Sequence, residues 1–296
     1  MAALADTWEQ HRQQCIDVLC GYIRLPYDPS AGLLKTIAVE RTLPADDAQQ
    51  PGKETRTYEH LPNDREVRLT VISTITRHLR DGAPISWQGK NLDFTGATFD
   101  GGDFSTATFT GAGITFASAT FTGGEVKFTG AQFAGGEVKL TGAQFTGGTA
   151  ITFDQAQFTG GWVTFLQAEF TGSQVTFNFA EFTAGHIAFL QAEFTGGIVD
   201  FGAARFTGGR VAFDAARFTG GRVTFDAAQF TGGRVTFDDA QFTASQVTSD
   251  AARFTGGQVT FDDAQFTGGV VTRDGAEFRG WPPPEFGPEP AESAAG

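Results

Sequence analysis

The stretch FTGGRVAFDAARFTGGRVTFDAAQFTGGRVTFDDAQ, residues 206–241, decides the fold, because it repeats one 12-residue unit three times. Each unit holds two triplets, Val-x-Phe and Ala-x-Phe. Alternate side chains of a β-strand point to the same face, so each triplet predicts a short strand with one buried side. A short Asp-Ala link and a long Thr-Gly-Gly-x link alternate between the triplets, which spaces the phenylalanines seven and five residues apart in turn.

The same pattern continues upstream and downstream. Upstream, LDFTG, ATFDG, GDFST and ATFTG (residues 92–111) place a phenylalanine every five residues. From Phe94 to Phe278 the repeats define 32 central positions, of which 29 are Phe; the exceptions are Leu140, Ser249 and Arg273. This regularity predicts a repeat solenoid, in which each unit packs only against its neighbours.

A small residue two positions before a large apolar one, repeated every five residues, resembles the pentapeptide-repeat family. The resemblance covers residues 92–278, and the Phe-centred, Gly-rich repeats are similar to those of actinobacterial members. It implies a right-handed quadrilateral β-helix with four five-residue faces per coil, and therefore about eight coils. The chain departs from the family pattern in using Phe rather than Leu. From Phe109 onward every second interval also carries two extra residues, or three between Phe145 and Phe153.

Four faces per coil give coils of 24 residues where the 12-residue unit is regular. One coil per 12 residues, as in some antifreeze solenoids, is the alternative. We favour the wider coil, because the narrow one would have to hold two Phe, one Val and one small residue per coil. Facing sheets need about 10 Å to accommodate large side chains from both sides.

We expect three parts along the chain. Residues 1–89 form a helical N-terminal cap with a long connection over residues 27–60, and residues 90–280 form the β-helix. Residues 281–296 are proline-rich and acidic, which predicts a disordered tail, with Trp281 covering the last coil.

Two helices are predicted in the cap. Thr7-x-x-Gln10 is typical of a capping box and opens a helix that ends at Leu25. A second helix begins at Asn63 or Asp64 and ends near Leu79. The side chains expected to face the core are Trp8, Cys15, Val18, Leu19, Tyr22, Val67, Val71, Ile72, Ile75 and Leu79. We expect both helices to pack on the first coil, with Ile85 and Trp87 closing its open core.

The cap also resembles a stretch that precedes the repeats in larger actinobacterial pentapeptide-repeat proteins, some of them anchored in a membrane. That resemblance implies that residues 2–8 end a helix whose earlier part lies upstream. The C-terminus lacks the amphipathic helix that dimerises the gyrase-protecting members of the family, so we expect a monomer.

Composition excludes several classes of protein. The chain holds 21 Lys and Arg against 34 Asp and Glu, a net charge of −13, which argues against direct binding to nucleic-acid phosphates. It has no apolar run that would span a membrane and no signal-peptide pattern at its N-terminus. Two cysteines cannot frame a disulfide-rich fold. These features predict a cytoplasmic protein.

No pattern indicates catalysis or a cofactor. The four histidines are scattered without metal-ligand spacing. Cys15 and Cys20 are expected to be buried small residues in a reducing compartment. Neither a P-loop nor a G-x-S-x-G motif is present. We therefore expect no enzyme, no cofactor and no metal.

The aspartates that follow the Val-x-Phe triplets form a candidate acidic surface. With 24-residue coils they make two ladders on opposite faces, and two further aspartates join the first ladder. The first ladder is Asp214, Asp238 and Asp262 with Asp239 and Asp263, and the second is Asp226, Asp250 and Asp274. Either each Asp bonds its own corner, or the ladders form an acidic strip for a cationic partner or a weak cation site.

A belt of arginines separates two acidic bands, residues 154–200 and residues 238–277. The candidate basic belt is Arg205, Arg210, Arg217, Arg222 and Arg234. In 24-residue coils Glu181 lies beside Arg205, and Glu193 lies beside Arg217, so we expect cross-strand ion pairs there.

Ser249 and Arg273 replace Phe in adjacent coils of one column. Because an isolated buried charge is costly, we expect Arg273 to turn outward or to reach the open end, with Trp281 or tail residues covering the gap. A small ligand pocket is the other interpretation.

The function expected is non-catalytic: a rigid solenoid that presents an acidic, repetitive surface to an unknown protein partner. The family resemblance offers one alternative, a DNA mimic that binds DNA gyrase or another topoisomerase, since residues 90–279 hold 19 acids against 11 bases. Ice binding through outward threonines is a third class. Ala188, Asp200 and Ala212 interrupt that series, Thr224, Thr236, Thr248, Thr260 and Thr272.

Overall fold

A computed structural model describes residues 1–29, 64–110, 113–267 and 274–278, together with the strands Leu34–Thr42, Lys53–His60 and Val270–Thr272. The tail after residue 278 and Arg273 lie outside the described residues. The expectations for a disordered tail, for Trp281 and for Arg273 therefore stay predictions.

The repeats form a column with four parallel sheets of eight strands each, which we call sheets I to IV in the order in which the chain visits them. Sheet I contains Leu92–Asp93, Ile114–Thr115, Glu137–Lys139, Trp162–Thr164, His186–Ala188, Arg210–Ala212, Arg234–Thr236 and Gln258–Thr260. Sheet II contains Thr98–Phe99, Thr120–Phe121, Gln144–Phe145, Glu169–Thr171, Glu193–Thr195, Arg217–Thr219, Gln241–Thr243 and Gln265–Thr267.

The other two sheets complete each coil. Sheet III contains Gly102–Asp103, Glu125–Lys127, Ala150–Thr152, Gln174–Thr176, Ile198–Asp200, Arg222–Thr224, Gln246–Thr248 and Val270–Thr272. Sheet IV contains Thr108–Phe109, Gln132–Phe133, Gln157–Phe158, Glu181–Phe182, Arg205–Phe206, Gln229–Phe230, Arg253–Phe254 and Glu277–Phe278. One strand from each sheet makes a coil, and we number the coils 1 to 8 from Leu92.

The strand register confirms the wide coil. Phe170 pairs with Phe194, and Phe194 pairs with Phe218, so neighbouring strands lie 24 residues apart. Val138 pairs with Val163, where the one interval with three extra residues lengthens the coil. The quadrilateral β-helix predicted from the sequence is therefore confirmed, with eight strand levels and seven steps between them.

Phenylalanine stacks fill the column. The ring of Phe194 lies 4.6 Å from that of Phe170 and 4.7 Å from that of Phe218, with interplanar angles of 4° and 5°. Each such contact adds about 0.5–1.5 kcal/mol to the free energy gained by burial. Towards coil 8 the core opens, because Phe261 and Phe266 are only half-buried.

The corners, which we call edges, are of two kinds. The edges between sheets I and II and between sheets III and IV are short and contain one residue with positive φ, such as Ala215 at 55°. The edges between sheets II and III and between sheets IV and I are longer and rich in glycine, as in Thr207-Gly208-Gly209. Charged side chains are therefore confined to the strands and the short edges.

The N-terminal helix differs from the prediction. The structure has a helix α1 over Ala2–Thr7, a 3₁₀ turn over Glu9–His11 and a helix α2 over Arg12–Ile23. The predicted capping box at Thr7 is wrong, because the Thr7 hydroxyl donates to the carbonyl of Ala3, one turn back, and so ends a helix.

The break between the two helices also changes which side chains are buried. Trp8 and Val18, both expected in the core, are 58 % and 50 % exposed. Ile16 and Ile23, which were not expected there, are buried beside Cys20.

Helix α3 spans Asp64–Leu79, as predicted, and packs on the first coil. Its core residues Ile72, Ile75 and Leu79 are buried, whereas Val67 is half exposed. Trp87 is fully buried, which confirms that it closes the core.

Two strands that the sequence did not predict lie in the long connection. They are β-strands over Leu34–Thr42 and Lys53–His60, paired antiparallel to each other. The connection is therefore a β-hairpin over this part.

Ser249 is buried in the column of phenylalanines. Its hydroxyl is satisfied, since it donates to the carbonyl of Thr272 at 3.3 Å. The hydroxyl thus fits a core position without a ligand.

Candidate interaction surface on the acidic edges

The two aspartate ladders occupy diagonally opposite edges of the column, as the 24-residue coil implies. Asp214, Asp238 and Asp262 follow strands of sheet I, so they lie at the edge between sheets I and II. The second ladder follows strands of sheet III and lies at the edge between sheets III and IV: Asp226, Asp250 and Asp274.

Most ladder carboxylates bond a backbone amide of the next coil rather than their own corner. The Asp262 amide donates to Asp238 Oδ1 at 3.2 Å. On the opposite edge the Asp250 amide donates to Asp226 Oδ1 at 3.0 Å, and the Asp274 amide donates to Asp250 Oδ1 at 2.8 Å. The ladders therefore tie neighbouring coils together, which the own-corner interpretation did not anticipate.

Bonds within one corner occur instead in the first coil. The Ser105 amide donates to Asp103 Oδ1 at 2.8 Å. Burial of Asp103 acts to raise its pKa, but the hydrogen bonds from Ser105 outweigh it and hold the pKa below its usual value.

Asp239 and Asp263 differ from the ladder aspartates. They hold the positive-φ position of the short edge, at 58° and 56°, where earlier coils have Gln167, Gln191 and Ala215. Both side chains are exposed, and neither accepts a hydrogen bond or forms an ion pair within the described part of the chain. Two free carboxylates thus project from consecutive coils.

These two carboxylates border a shallow groove that follows sheet II over coils 4 to 8. Its volume is about 590 Å³, and its lining is polar: Gln167, Glu169, Gln191, Glu193, Ala215, Arg217, Asp239, Gln241, Asp263 and Gln265. Glu169 and Glu193 are register neighbours on the groove floor. The sequence did not point to this groove, because its residues come from five coils and only the 24-residue register lines them up.

The basic belt does not form one patch. Its five arginines lie on sheets IV, I, II, III and I in turn, so the belt winds around the column. The predicted cross-strand pairs are confirmed, with Arg205 Nη1 3.4 Å from Glu181 Oε1 and Arg217 Nη1 3.3 Å from Glu193 Oε1.

The rest of the belt is paired along single strands, with one exception. Arg210 lies 3.0 Å from Asp214, and Arg222 lies 3.8 Å from Asp226. Arg234 has no ion pair among the residues that the structure describes. Excess acid therefore remains in coils 7 and 8, where residues 238–277 hold seven acids against two arginines.

Threonines that the sequence placed in a single series are divided between sheets I and III. Thr224, Thr236 and Thr248 are buried. They do not present a flat outer surface of hydroxyl groups.

The cap holds the other ionisable groups that are buried. Arg68 is 3 % exposed and donates to the carbonyls of Ile23 and Thr98. Cys15 and Cys20 are buried and free, and burial raises the pKa of Cys20 to about 12. A thiol with so high a pKa is no nucleophile at neutral pH.

Two searches of the described residues give no further site. No three His, Cys, Asp or Glu side chains among them come together so as to hold a metal ion. None of the helices in this part of the chain is long and apolar enough to cross a membrane.

Comparison with known proteins gives one kind of similarity. No family model matches the chain, and no curated protein matches it. Among solved structures, the chain is similar to HetL, a pentapeptide repeat protein involved in heterocyst differentiation regulation from the cyanobacterium Nostoc sp. strain PCC 7120. The match covers 64 % of this chain and 86 % of that chain, at 12 % identity and a TM-score of 0.23. The fold assignment rests on the four sheets of this chain.

Proposed function

We propose that the chain is a non-enzymatic interaction solenoid of the actinobacterial pentapeptide-repeat type, and that the groove along sheet II binds a cationic segment of a protein partner. The observation that carries the proposal is the pair of free carboxylates, Asp239 and Asp263, on consecutive coils beside the groove.

Folding does not explain this pair. Like charges in neighbouring coils repel each other, and earlier coils fill the same corner with Gln191 or Ala215. Glu169 and Glu193 repeat the arrangement on the groove floor. A cationic partner would remove both repulsions, and its approach would be steered by the excess acid of coils 7 and 8.

The repeated carboxylates support binding rather than catalysis. They recur once per coil along a surface, whereas general acid–base chemistry needs two carboxylates that face one another across a substrate. A rigid column with regularly spaced charges is suited to docking.

The proposal can be tested with a fluorescently labelled octalysine peptide and fluorescence anisotropy at low salt. We expect D239N/D263N to weaken binding by about fivefold or more, because rim and groove charges dominate such an encounter. The matched control, D250N/D274N, removes two charges from the same coils on the opposite edge, and we expect less than about a twofold loss. Equal losses in both variants would show a general charge effect and contradict the groove.

The DNA-mimic function is the alternative, supported by the net negative charge of the repeats. Arg217 interrupts the acidic column of sheet II, which weakens it. A gyrase supercoiling assay separates the two functions. An interaction solenoid leaves supercoiling unchanged, whereas a DNA mimic inhibits it and loses potency in both Asp→Asn variants.

A further inference from the structure

Sheet I carries an aromatic and basic stripe that the proposed function does not use. It consists of the first strand residues of coils 4 to 7: Trp162, His186, Arg210 and Arg234. Each is the register neighbour of the next. The rings of Trp162 and His186 lie 5.2 Å apart.

Folding does not account for this stripe either. Trp162 is 58 % exposed. Arg210 and Arg234 are like charges in direct register, an arrangement that destabilises a sheet. Asp214 neutralises Arg210 at 3.0 Å, but Arg234 has no ion pair within the described coils.

A smooth shoulder borders the stripe. The edge between sheets IV and I is glycine-rich, and side chains would not fit there, because a Cβ on Gly232 would lie 2.5 Å from the carbonyl oxygen of Thr207. At Gly256 the same atom would lie 2.6 Å from the carbonyl oxygen of Thr231. An extended chain can therefore lie beside the stripe without meeting side chains on that edge.

The topology brings one segment of this chain to the upper end of the stripe. In every coil the chain passes from sheet IV to sheet I, as it does between Phe254 and Gln258. The strand Glu277–Phe278 ends on sheet IV of coil 8, so the next residues leave from the edge beside sheet I. The sequence that follows, residues 281–290, is WPPPEFGPEP.

We propose that the stripe is the docking surface for this segment of the same molecule, residues 281–290, bound as an extended polyproline helix. Proline rings pack on exposed aromatic side chains such as Trp162. Glu285 and Glu289 supply the negative charge that Arg210 and Arg234 lack.

The reach is sufficient. Four coil steps separate coil 8 from coil 4, about 19 Å at the spacing of neighbouring strands. Ten residues in a polyproline helix span about 31 Å. Glu285 then lies near the arginines, and the later prolines lie near Trp162.

Contact quenching by tryptophan tests this docking in the full chain. A bimane dye is attached to A291C under native conditions, in which Cys15 and Cys20 are buried. We expect W162F and R234Q each to raise the dye emission severalfold, and high salt to do the same. R222Q is the matched control on sheet III, and it should leave emission unchanged.

Three outcomes would overturn the proposal. The first is emission that is equal in W162F, R234Q and the unsubstituted chain. The second is an equal rise in R222Q and R234Q. The third is quenching that grows with protein concentration, since the occupant would then belong to a second copy. Circular dichroism confirms that each variant keeps the β-helix.

Discussion

At the scale of the residue, position in the column decides what a phenylalanine contributes. We expect Phe194→Ala to lower the free energy of unfolding by about 3–5 kcal/mol, because it leaves a cavity between two stacked rings. Phe179 is 63 % exposed at a corner with φ of 57°, where the next coil has Ala203. Phe179→Ala is therefore the matched control, with an expected change below about 1 kcal/mol. Chemical denaturation measures both, and similar losses would contradict the stacked core.

Cys20 offers a test of burial in the cap. Since burial raises its pKa to about 12, the thiol stays protonated at pH 8, where a free cysteine is partly thiolate. We expect Cys20 to be unreactive towards Ellman's reagent at pH 8 in the native chain. In guanidinium both cysteines should react, which is the control. Rapid native reaction of two thiols would contradict the docking of α2 on the first coil.

At the scale of the element, Arg68 holds the cap to the column. Its guanidinium donates to the end of α2 at Ile23 and to the first coil at Thr98. We expect Arg68→Met to cost about 3 kcal/mol, because two buried carbonyls lose their donor. Arg77→Ala on the exposed face of the same helix is the control and should change stability by less than about 0.5 kcal/mol. Thermal unfolding followed by circular dichroism compares the two variants.

The repeat elements could be predicted from the sequence, whereas the elements of the cap could be predicted only in part. Each strand is specified by a Val-x-Phe or Ala-x-Phe triplet, so local pattern and fold agree. At Thr7 the capping pattern competes with a hydroxyl bond to the preceding turn, and the second wins. Arg68 could not be found as a core residue, because its burial depends on carbonyls from two other elements.

The acidic ladders were predicted, but the free carboxylates were not distinguished from the bonded ones. The sequence shows Asp238 and Asp239 as neighbours of the same type. Only the structure shows that the first accepts bonds from the next coil, including one from the Thr260 hydroxyl at 2.7 Å. The second projects freely from a positive-φ corner.

At the scale of the whole molecule, one coil is the unit that preserves every surface. Duplicating residues 206–229 should add one coil between Arg217 and Asp239 and keep both on their present sheets. Duplicating residues 206–217 should turn the following coils by half a circuit and move Asp239 to the opposite edge. We expect both chains to fold, because each added unit supplies its own core residues.

Small-angle X-ray scattering should show a longer column in both insertions. Only the 24-residue insertion should keep octalysine binding near that of the unchanged chain, since it leaves the acidic groove on one face. Equal binding by the 12-residue insertion would contradict a groove built from several coils.

All inter-strand hydrogen bonds of the column join one coil to the next, as between Phe170 and Phe194, and none joins two strands of the same coil. A pulling force along the axis from the C-terminal end therefore loads the bonds of one coil at a time. The column should come apart as a zipper does, coil after coil at low force, rather than in one brittle event. Each event releases 24 residues, about 80 Å of chain when fully extended. A protein stiff enough to hold a fixed pattern of charges is, in the axial direction, a sequence of small mechanical fuses.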